Sequence, residues 1–131
     1  MQKRPLSTTK LRQVPSQFSW VDQRLVRERY IDQLSHEACA LYLFLVTVAD
    51  AQGLSFYSEP SLCQRLSMTP EGLRQARGRL VHLGLVAYER PLYQVLALGE
   101  DARGRERATL AGDDEAVDIK AVFAHIWEVL S

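Results

Sequence analysis

Cysteine and histidine are scarce in this 131-residue sequence and do not form a recognisable site. Cys39 and Cys63 lie in apolar runs without CxxC spacing, which is typical of buried, reduced thiols in a cytosolic protein. The three histidines, His36, His82 and His125, are dispersed along the chain and lack the spacing of metal ligands. We therefore predict neither a disulfide nor a metal site.

Long hydrophobic runs are also absent from the sequence. The longest apolar stretch, from Ala38 to Val46, is followed by Thr47, well short of the roughly 20 residues that a transmembrane helix needs. The N-terminus lacks the hydrophobic segment of a signal peptide. These two absences lead us to expect a soluble, cytoplasmic protein that does not associate with membranes.

The sequence lacks the motifs that most enzyme classes require. It has no Gly-rich phosphate loop, no Walker pattern and no nucleophile elbow. Its carboxylates are scattered or grouped where helices are predicted to begin, and they form no acid–base constellation. We therefore predict a protein that is not an enzyme and that uses no cofactor.

The chain has no net charge, but its charges are segregated along the sequence. Residues 1–20 carry a net +4, residues 21–58 a net −2, residues 59–98 a net +2 and residues 99–131 a net −4. With 47% hydrophobic residues the chain can bury one small core. The positive segments are where attraction of an anionic partner such as nucleic acid would begin.

A pair of short helices joined by a tight turn is predicted in the stretch SEPSLCQRLSMTPEGLRQARGRLVHLGL, which begins at Ser58. Ser58 is suited to be the N-cap of the first helix. Leu62 and Leu66, four residues apart, share one face of that helix. Ser67 and Met68 form the turn, so the second helix begins directly after it.

The second helix of the pair is the longer and more basic one. Thr69 supplies an N-cap hydroxyl, Pro70 suits the first helical position, and Gly84 is a suitable C-cap. Helical spacing predicts that four residues face inward: Leu73, Ala76, Leu80 and Leu83. The opposite face carries Glu71, Arg74, Gln75, Gly78 and His82.

This polar face has the composition that entry into a DNA major groove requires. Arg74 suits guanine and Gln75 suits adenine, and we expect the whole face to contact base edges: Glu71, Arg74, Gln75, Gly78 and His82. We expect phosphate contacts from Ser58, Thr69, Arg77, Arg79 and Arg90. A three-helix core with a merely solvated basic face is the alternative that this spacing leaves open.

Two β-prone runs follow the helix pair directly. LVAYE, from Leu85 to Glu89, and LYQVLA, from Leu92 to Ala97, flank Arg90-Pro91 and predict a hairpin with a very short tip. Arg90 at that tip is placed to contact phosphate, and a purely solvated tip is an equal alternative.

The order of these elements resembles a winged helix-turn-helix domain. EACALYLFLVTVADAQGLSFYS and SLCQRLSMTPEGLRQARGRLVHLGLVAYER are similar to the family's long first helix, its helix pair and its closing L-x-x-x-G-L-[IV] segment. Cys63 stands in the usual Ala position and Ser67 in the usual Gly position. The resemblance implies a mainly α (α+β) fold with a three-helix core, a short β-hairpin wing and, from residues 53–57, a small first strand.

The resemblance also implies a function. The run from Phe18 to Leu96 is similar to helix-turn-helix proteins of bacterial mobile elements and to DNA-binding modules of plasmid or phage replication proteins. We therefore expect a protein that binds double-stranded DNA, as a bacterial transcriptional regulator or a mobile-element accessory factor. A protein-interaction winged helix and a module of a replication initiation protein are the alternatives.

The chain before the helix pair divides into an arm and a buried helix. Residues 1–17 are polar and basic and are predicted to be a disordered arm, before a domain over residues 18–97. A short helix is expected near residues 21–29, with Trp20 anchoring the arm on the core. Ser35 is expected to cap a helix that is apolar nearly all round, so that both Leu43 and Leu45 would be buried.

The C-terminal part is predicted to be a linker and one amphipathic helix. Residues 98–112 are charged and contain glycine, as linkers do, and residues 113–131 form the helix. Its apolar stripe is Ile119, Val122, Phe123, Ile126, Trp127 and Leu130. Such a stripe must be buried, and we expect it to form a homodimer; folding back on its own domain and docking on a mobile-element or replication protein are the alternatives.

Overall fold

The computed structural model describes residues 2–99. Its helices are α1 (Arg24–Arg27), α2 (His36–Val48), α3 (Glu59–Leu66) and α4 (Pro70–His82), with a short 3-10 helix at Ile31–Gln33. Its strands are β1 (Leu54–Phe56), β2 (Val86–Glu89) and β3 (Leu92–Val95). The described chain is therefore α+β, and its arrangement is compatible with a winged-helix fold.

Side-chain caps set the start of the three longer helices. The hydroxyl of Ser35 accepts a hydrogen bond from the amide of Ala38 at 3.1 Å, and that of Ser58 accepts one from the amide of Ser61 at 3.3 Å. Thr69 is the third such cap, at 3.0 Å from the amide of the third helical residue. Each cap satisfies an amide that has no partner within its own helix, and all three predicted starts are confirmed.

Left-handed residues end the two helices of the pair. Ser67 has a φ of 53°, and the next amide, that of Met68, donates to the carbonyl of Cys63. Gly84 has a φ of 74° after α4, a conformation that glycine adopts at little cost. These two residues keep the turn and the exit from α4 tight, as the sequence predicts.

The three strands form one antiparallel sheet in the order β1-β3-β2. The β2–β3 register places Tyr88 opposite Tyr93, and the β1–β3 register places Ser55 opposite the same Tyr93. Only Arg90 and Pro91 separate β2 from β3, so the predicted hairpin and its short tip are confirmed. The predicted first strand is also present as β1.

One core joins α2, α4 and the inner face of the sheet. α4 packs against α2, α3 and β2, and β3 packs against α2. The fully buried large side chains are Tyr93, Leu41, Leu45, Leu62, Leu73, Leu80, Leu85, Leu92 and Val86. Leu98, expected at the start of a linker, is 3% exposed and belongs to this core, so the folded unit continues past the predicted boundary at residue 97.

One expectation for the first half of the chain is confirmed in part and two are wrong. The short helix expected near residues 21–29 is present as the four-residue α1, and the φ of 61° at Arg29 prevents a longer helix. Trp20 is 74% exposed and does not anchor the arm on the core. Leu43 is 61% exposed because the packing partners of α2 cover the side that carries Leu41 and Leu45.

The chain termini were predicted to carry an arm and an assembly helix. Residues 2–20 are exposed throughout and contain no helix or strand. The predicted helix 113–131, its apolar stripe and most of the predicted linker lie outside the described residues. Within residues 2–99, no helix combines the length and the apolar character needed to cross a membrane.

Candidate nucleic-acid interface

The structure separates α4 into a buried side and an exposed side. Leu73, Ala76 and Leu80 are 0–2% exposed, and Leu83 is partly buried against the same core. The residues predicted to contact base edges are all exposed: Glu71, Arg74, Gln75, Gly78 and His82. These five residues form one accessible surface, the α4 face.

Gly78 lies in open space at the centre of the α4 face. Among the described residues, a methyl group built on its α-carbon would meet no heavy atom within 4 Å, so none of these neighbours requires a glycine there. A glycine inside a helix destabilises it by about 1 kcal/mol relative to alanine. Packing within residues 2–99 gives no reason for that cost.

The predicted phosphate-contacting residues at the helix starts are exposed. Ser58 and Thr69 cap α3 and α4 with their hydroxyl oxygens and remain accessible. The amides of a helix N-terminus and its dipole favour an anion there. Pro60 and Pro70 have no N–H, and the third amide of each helix donates to the capping hydroxyl. The amides left near each cap for a phosphate group are therefore those of Glu59 and Glu71.

Arg77 is mostly buried, whereas its predicted contact with phosphate requires an exposed side chain. Its side chain is 12% exposed and is held by three neighbours. One terminal nitrogen donates to the hydroxyl of Tyr93 at 3.1 Å and the other to Glu59 at 3.0 Å, while the guanidinium carbon lies 4.1 Å from the centre of the Tyr88 ring. Burial opposes the charged form, but the hydrogen bonds with Tyr93 and Glu59 outweigh it and raise the pKa of Arg77.

Arg77 therefore links α4 to the sheet, and its predicted phosphate contact stays a prediction. The sequence places it on the flank of the exposed face, where spacing alone cannot show a partner on a strand. Its aromatic partners, Tyr88 and Tyr93, lie on neighbouring strands with ring centres 4.5 Å apart. Stacking over an aromatic face and a buried hydrogen bond both favour arginine at this position.

The two other arginines predicted to contact phosphate remain exposed. Arg79 donates from Nε to the carbonyl oxygen of Gln33 at 2.9 Å, which ties α4 to the 3-10 helix. Arg90 stands at the tip of the hairpin, and its charge is among the influences that lower the pKa of Glu59. Arg90 is exposed at this tip.

Glu59 is the residue of this surface that the sequence does not single out. It lies in the first turn of α3, where the helix dipole alone would explain an acid. In the structure one carboxylate oxygen pairs with Arg77 at 3.0 Å, and the other lies 3.6 Å from a terminal nitrogen of Arg74. The hydrogen bond from Arg77 is the main reason why the pKa of Glu59 is lowered.

No metal or disulfide chemistry emerges from the described part of the chain. Among residues 2–99, no group of three or more histidine, cysteine, aspartate or glutamate side chains is placed to hold a metal ion. Cys39 and Cys63 are free and half-buried.

Comparison with known proteins adds no family to this picture. No protein-family model matches the chain, and neither the curated proteins nor the solved structures yield a match. The geometry of the α4 face and its surroundings is therefore what supports a functional proposal.

Proposed function

We propose that this protein is a winged helix-turn-helix DNA-binding protein that reads a major groove with α4. The observation that carries the proposal is the α4 face itself. It is an exposed, hydrogen-bonding surface on the second helix of a helix pair, and its centre is a glycine that no contact in the described part of the chain requires.

The side chains of the α4 face have distinct roles in this proposal. Arg74 donates two hydrogen bonds to a guanine, and Gln75 pairs with an adenine. Glu71 accepts from the amino group of a cytosine, and His82 contacts the groove at the far end of the helix. Gly78 lets the helix backbone lie close to the DNA.

The phosphate contacts surround the α4 face. At the starts of α3 and α4, next to Ser58 and Thr69, the backbone amides of Glu59 and Glu71 bind phosphate oxygens. Arg79 and Arg90 hold phosphates with exposed charges. Arg77 has no direct contact in this proposal, because its guanidinium is already engaged by Glu59 and the two tyrosines.

The biological role that fits this chemistry is that of a bacterial transcriptional regulator or a mobile-element accessory factor, acting as a homodimer. Two copies would place two α4 faces in successive turns of the groove, as helix-turn-helix dimers do. A DNA-binding module of a replication protein would share the same contacts. The alternative from another class is a module that binds a protein through the α4 face.

Fluorescence anisotropy with labelled genomic fragments, including the promoter of its own gene, tests the proposal at two salt concentrations. We expect tight binding to one fragment, weakened by salt, and loss of selectivity in Arg74→Ala/Gln75→Ala. Arg27→Ala/Gln52→Ala removes the same residue types from exposed positions outside the α4 face and should bind like the wild type. Binding no stronger than to random DNA at low salt would contradict the proposal and favour a protein partner.

A further inference from the structure

We infer that Glu59 is a positioning residue that holds Arg74 in the orientation needed to recognise a base. The inference rests on the proposed DNA-binding function. It assigns to α3 a part in selectivity that is separate from phosphate binding at its N-terminus.

A continuous set of polar contacts leads from the sheet to the α4 face. The Tyr93 hydroxyl accepts from Arg77, and Arg77 donates to one oxygen of Glu59. The second oxygen of Glu59 faces Arg74 at 3.6 Å. These contacts link β3, the buried side of α4, α3 and the exposed side of α4 in that order.

Exposure differs sharply along this set of contacts. The side chain of Arg77 is 12% exposed, that of Glu59 is 30% exposed and that of Arg74 is 60% exposed. The buried end is fixed by the Tyr88 ring and the Tyr93 hydroxyl. Arg77 therefore holds Glu59 in place. Glu59 in turn can restrict the side chain of Arg74, which otherwise samples many rotamers in solvent.

The contact with Arg74 orients that side chain without using up its donors. At 3.6 Å it is an ion pair longer than a direct hydrogen bond. A guanidinium has five N–H donors, so the group facing a groove can still donate two of them to guanine. Restricting the side chain before binding lowers the ordering cost when DNA is bound.

The same carboxylate also repels DNA phosphates, so its removal has two opposing effects on affinity. Loss of a negative charge strengthens binding to any DNA, whereas loss of the restraint on Arg74 weakens binding to the correct site only. The ratio of specific to non-specific affinity separates the two effects. Glu59 is expected to raise this ratio.

The test measures that ratio by anisotropy for Glu59→Gln, Arg74→Ala, the double variant and Glu89→Gln. Glu89 is an exposed wing residue that forms no ion pair within residues 2–99, so Glu89→Gln is the control for loss of charge. We expect Glu59→Gln to lower the ratio about twofold to fivefold, in the range of exposed charge pairs, and Glu89→Gln to leave it unchanged. In the Arg74→Ala background, Glu59→Gln should have no further effect.

A second readout does not depend on DNA. Nitrogen-15 relaxation of the Arg74 side-chain Nε–H should show greater picosecond–nanosecond mobility in Glu59→Gln than in Glu89→Gln. Circular dichroism checks that each variant is folded. If Glu59→Gln does not fold, Glu59→Asp replaces it, because it keeps the charge but shortens the side chain and should also lower the ratio.

The results distinguish this inference from the proposed function. If wild type selects no DNA fragment, the DNA-binding proposal fails and the recognition role of Glu59 fails with it. If wild type is selective and Arg74→Ala is not, but Glu59→Gln keeps the wild-type ratio, only the positioning role is overturned. An equal effect of Glu59→Gln with and without Arg74, or unchanged Arg74 mobility, overturns it too.

Discussion

At the scale of single residues, Gly78 allows stability and the proposed DNA binding to be separated. Gly78→Ala should stabilise the fold by about 0.5–1 kcal/mol, because α4 gains a better helix former and the new methyl group meets no neighbour among residues 2–99. The same methyl group should lower affinity for the selected DNA about tenfold by forcing the helix away from the groove. Urea denaturation and anisotropy measure the two effects. A variant that is more stable and binds equally well would show that α4 does not approach its partner at this point.

Leu45 and Leu43 form a matched pair on α2 with different surroundings. Leu45 is fully buried, whereas Leu43 is 61% exposed. Leu45→Ala should therefore lower the free energy of unfolding by about 2–5 kcal/mol, and Leu43→Ala should change it by no more than about 0.5 kcal/mol. Chemical denaturation of both variants measures this difference. A large loss in Leu43→Ala would mean that another surface covers this side of α2 in solution.

Ser55 and Ser58 are two serines for which loss of the hydroxyl should have opposite effects. Within the described residues, the Ser55 hydroxyl is buried and has no hydrogen-bond partner, so Ser55→Ala should be neutral or stabilising by up to about 1 kcal/mol. Ser58→Ala removes the N-cap of α3 and should destabilise by about 1 kcal/mol. Thermal denaturation of the two variants compares them directly. Destabilisation by Ser55→Ala would indicate a bound water or a partner at that hydroxyl.

At the scale of secondary-structure elements, Glu59 joins α3 to α4 in a pH-dependent way. Hydrogen bonding from Arg77 lowers the pKa of Glu59 below its usual value of 4.5. A carboxyl whose pKa is lower in the folded state stabilises the fold above its unfolded pKa, and this contribution is lost as pH falls through the folded pKa. The wild type should therefore have a higher Tm than Glu59→Gln at pH 7, and the difference should narrow as the pH falls below the usual pKa of 4.5.

The control for this pH dependence is again Glu89→Gln. The pKa of Asp22 is also lowered, by its hydrogen bonds with Arg24. Every variant therefore loses some stability at low pH because of Asp22. Only the difference from wild type therefore isolates Glu59, and Glu89→Gln should show a small difference that does not depend on pH in this way. A difference in Tm between wild type and Glu59→Gln that stays constant down to pH 3 would contradict the ion pair between Glu59 and Arg77.

The elements that sequence could predict are those that local chemistry determines. The caps at Ser35, Ser58 and Thr69 and the turn at Ser67 depend on residues a few positions away, and each lies where the pattern predicts it. Helical spacing likewise separates the buried and exposed sides of α4. These features need no knowledge of the tertiary structure.

The features that sequence could not predict depend on distant partners. Arg77 lies 16 residues from the Tyr93 hydroxyl that it binds, and only the β2–β3 register brings both tyrosines beneath it. α2 is apolar on nearly every side, so composition alone cannot show that Leu43 faces outward. The helix dipole alone explains an acidic residue at position 59. The sequence therefore gives no sign that Glu59 also pairs with two arginines.

At the scale of the whole molecule, positive and negative charges lie in different segments of the chain. The +4 of residues 1–20 and the +2 of residues 59–98 belong to the part that would meet DNA, and the −4 of residues 99–131 belongs to the part predicted to assemble. Neutrality overall therefore does not argue against binding an anionic polymer. The density of positive charge near the DNA, and not the net charge, sets the dependence of binding on salt.

The salt dependence of affinity can therefore also show whether a monomer or a dimer binds DNA. Each phosphate contact contributes about −0.9 to the slope of log affinity against log salt concentration. Arg90→Ala should make the slope less steep by about 1.8 if a dimer binds, since each copy loses one contact, and by about 0.9 if a monomer binds. Arg27→Ala, an exposed arginine of α1 outside the proposed interface, should leave the slope unchanged. Anisotropy titrations at four salt concentrations measure the slope, and sedimentation equilibrium measures the oligomeric state of the free protein. A slope unaffected by Arg90→Ala would show that the wing does not contact DNA.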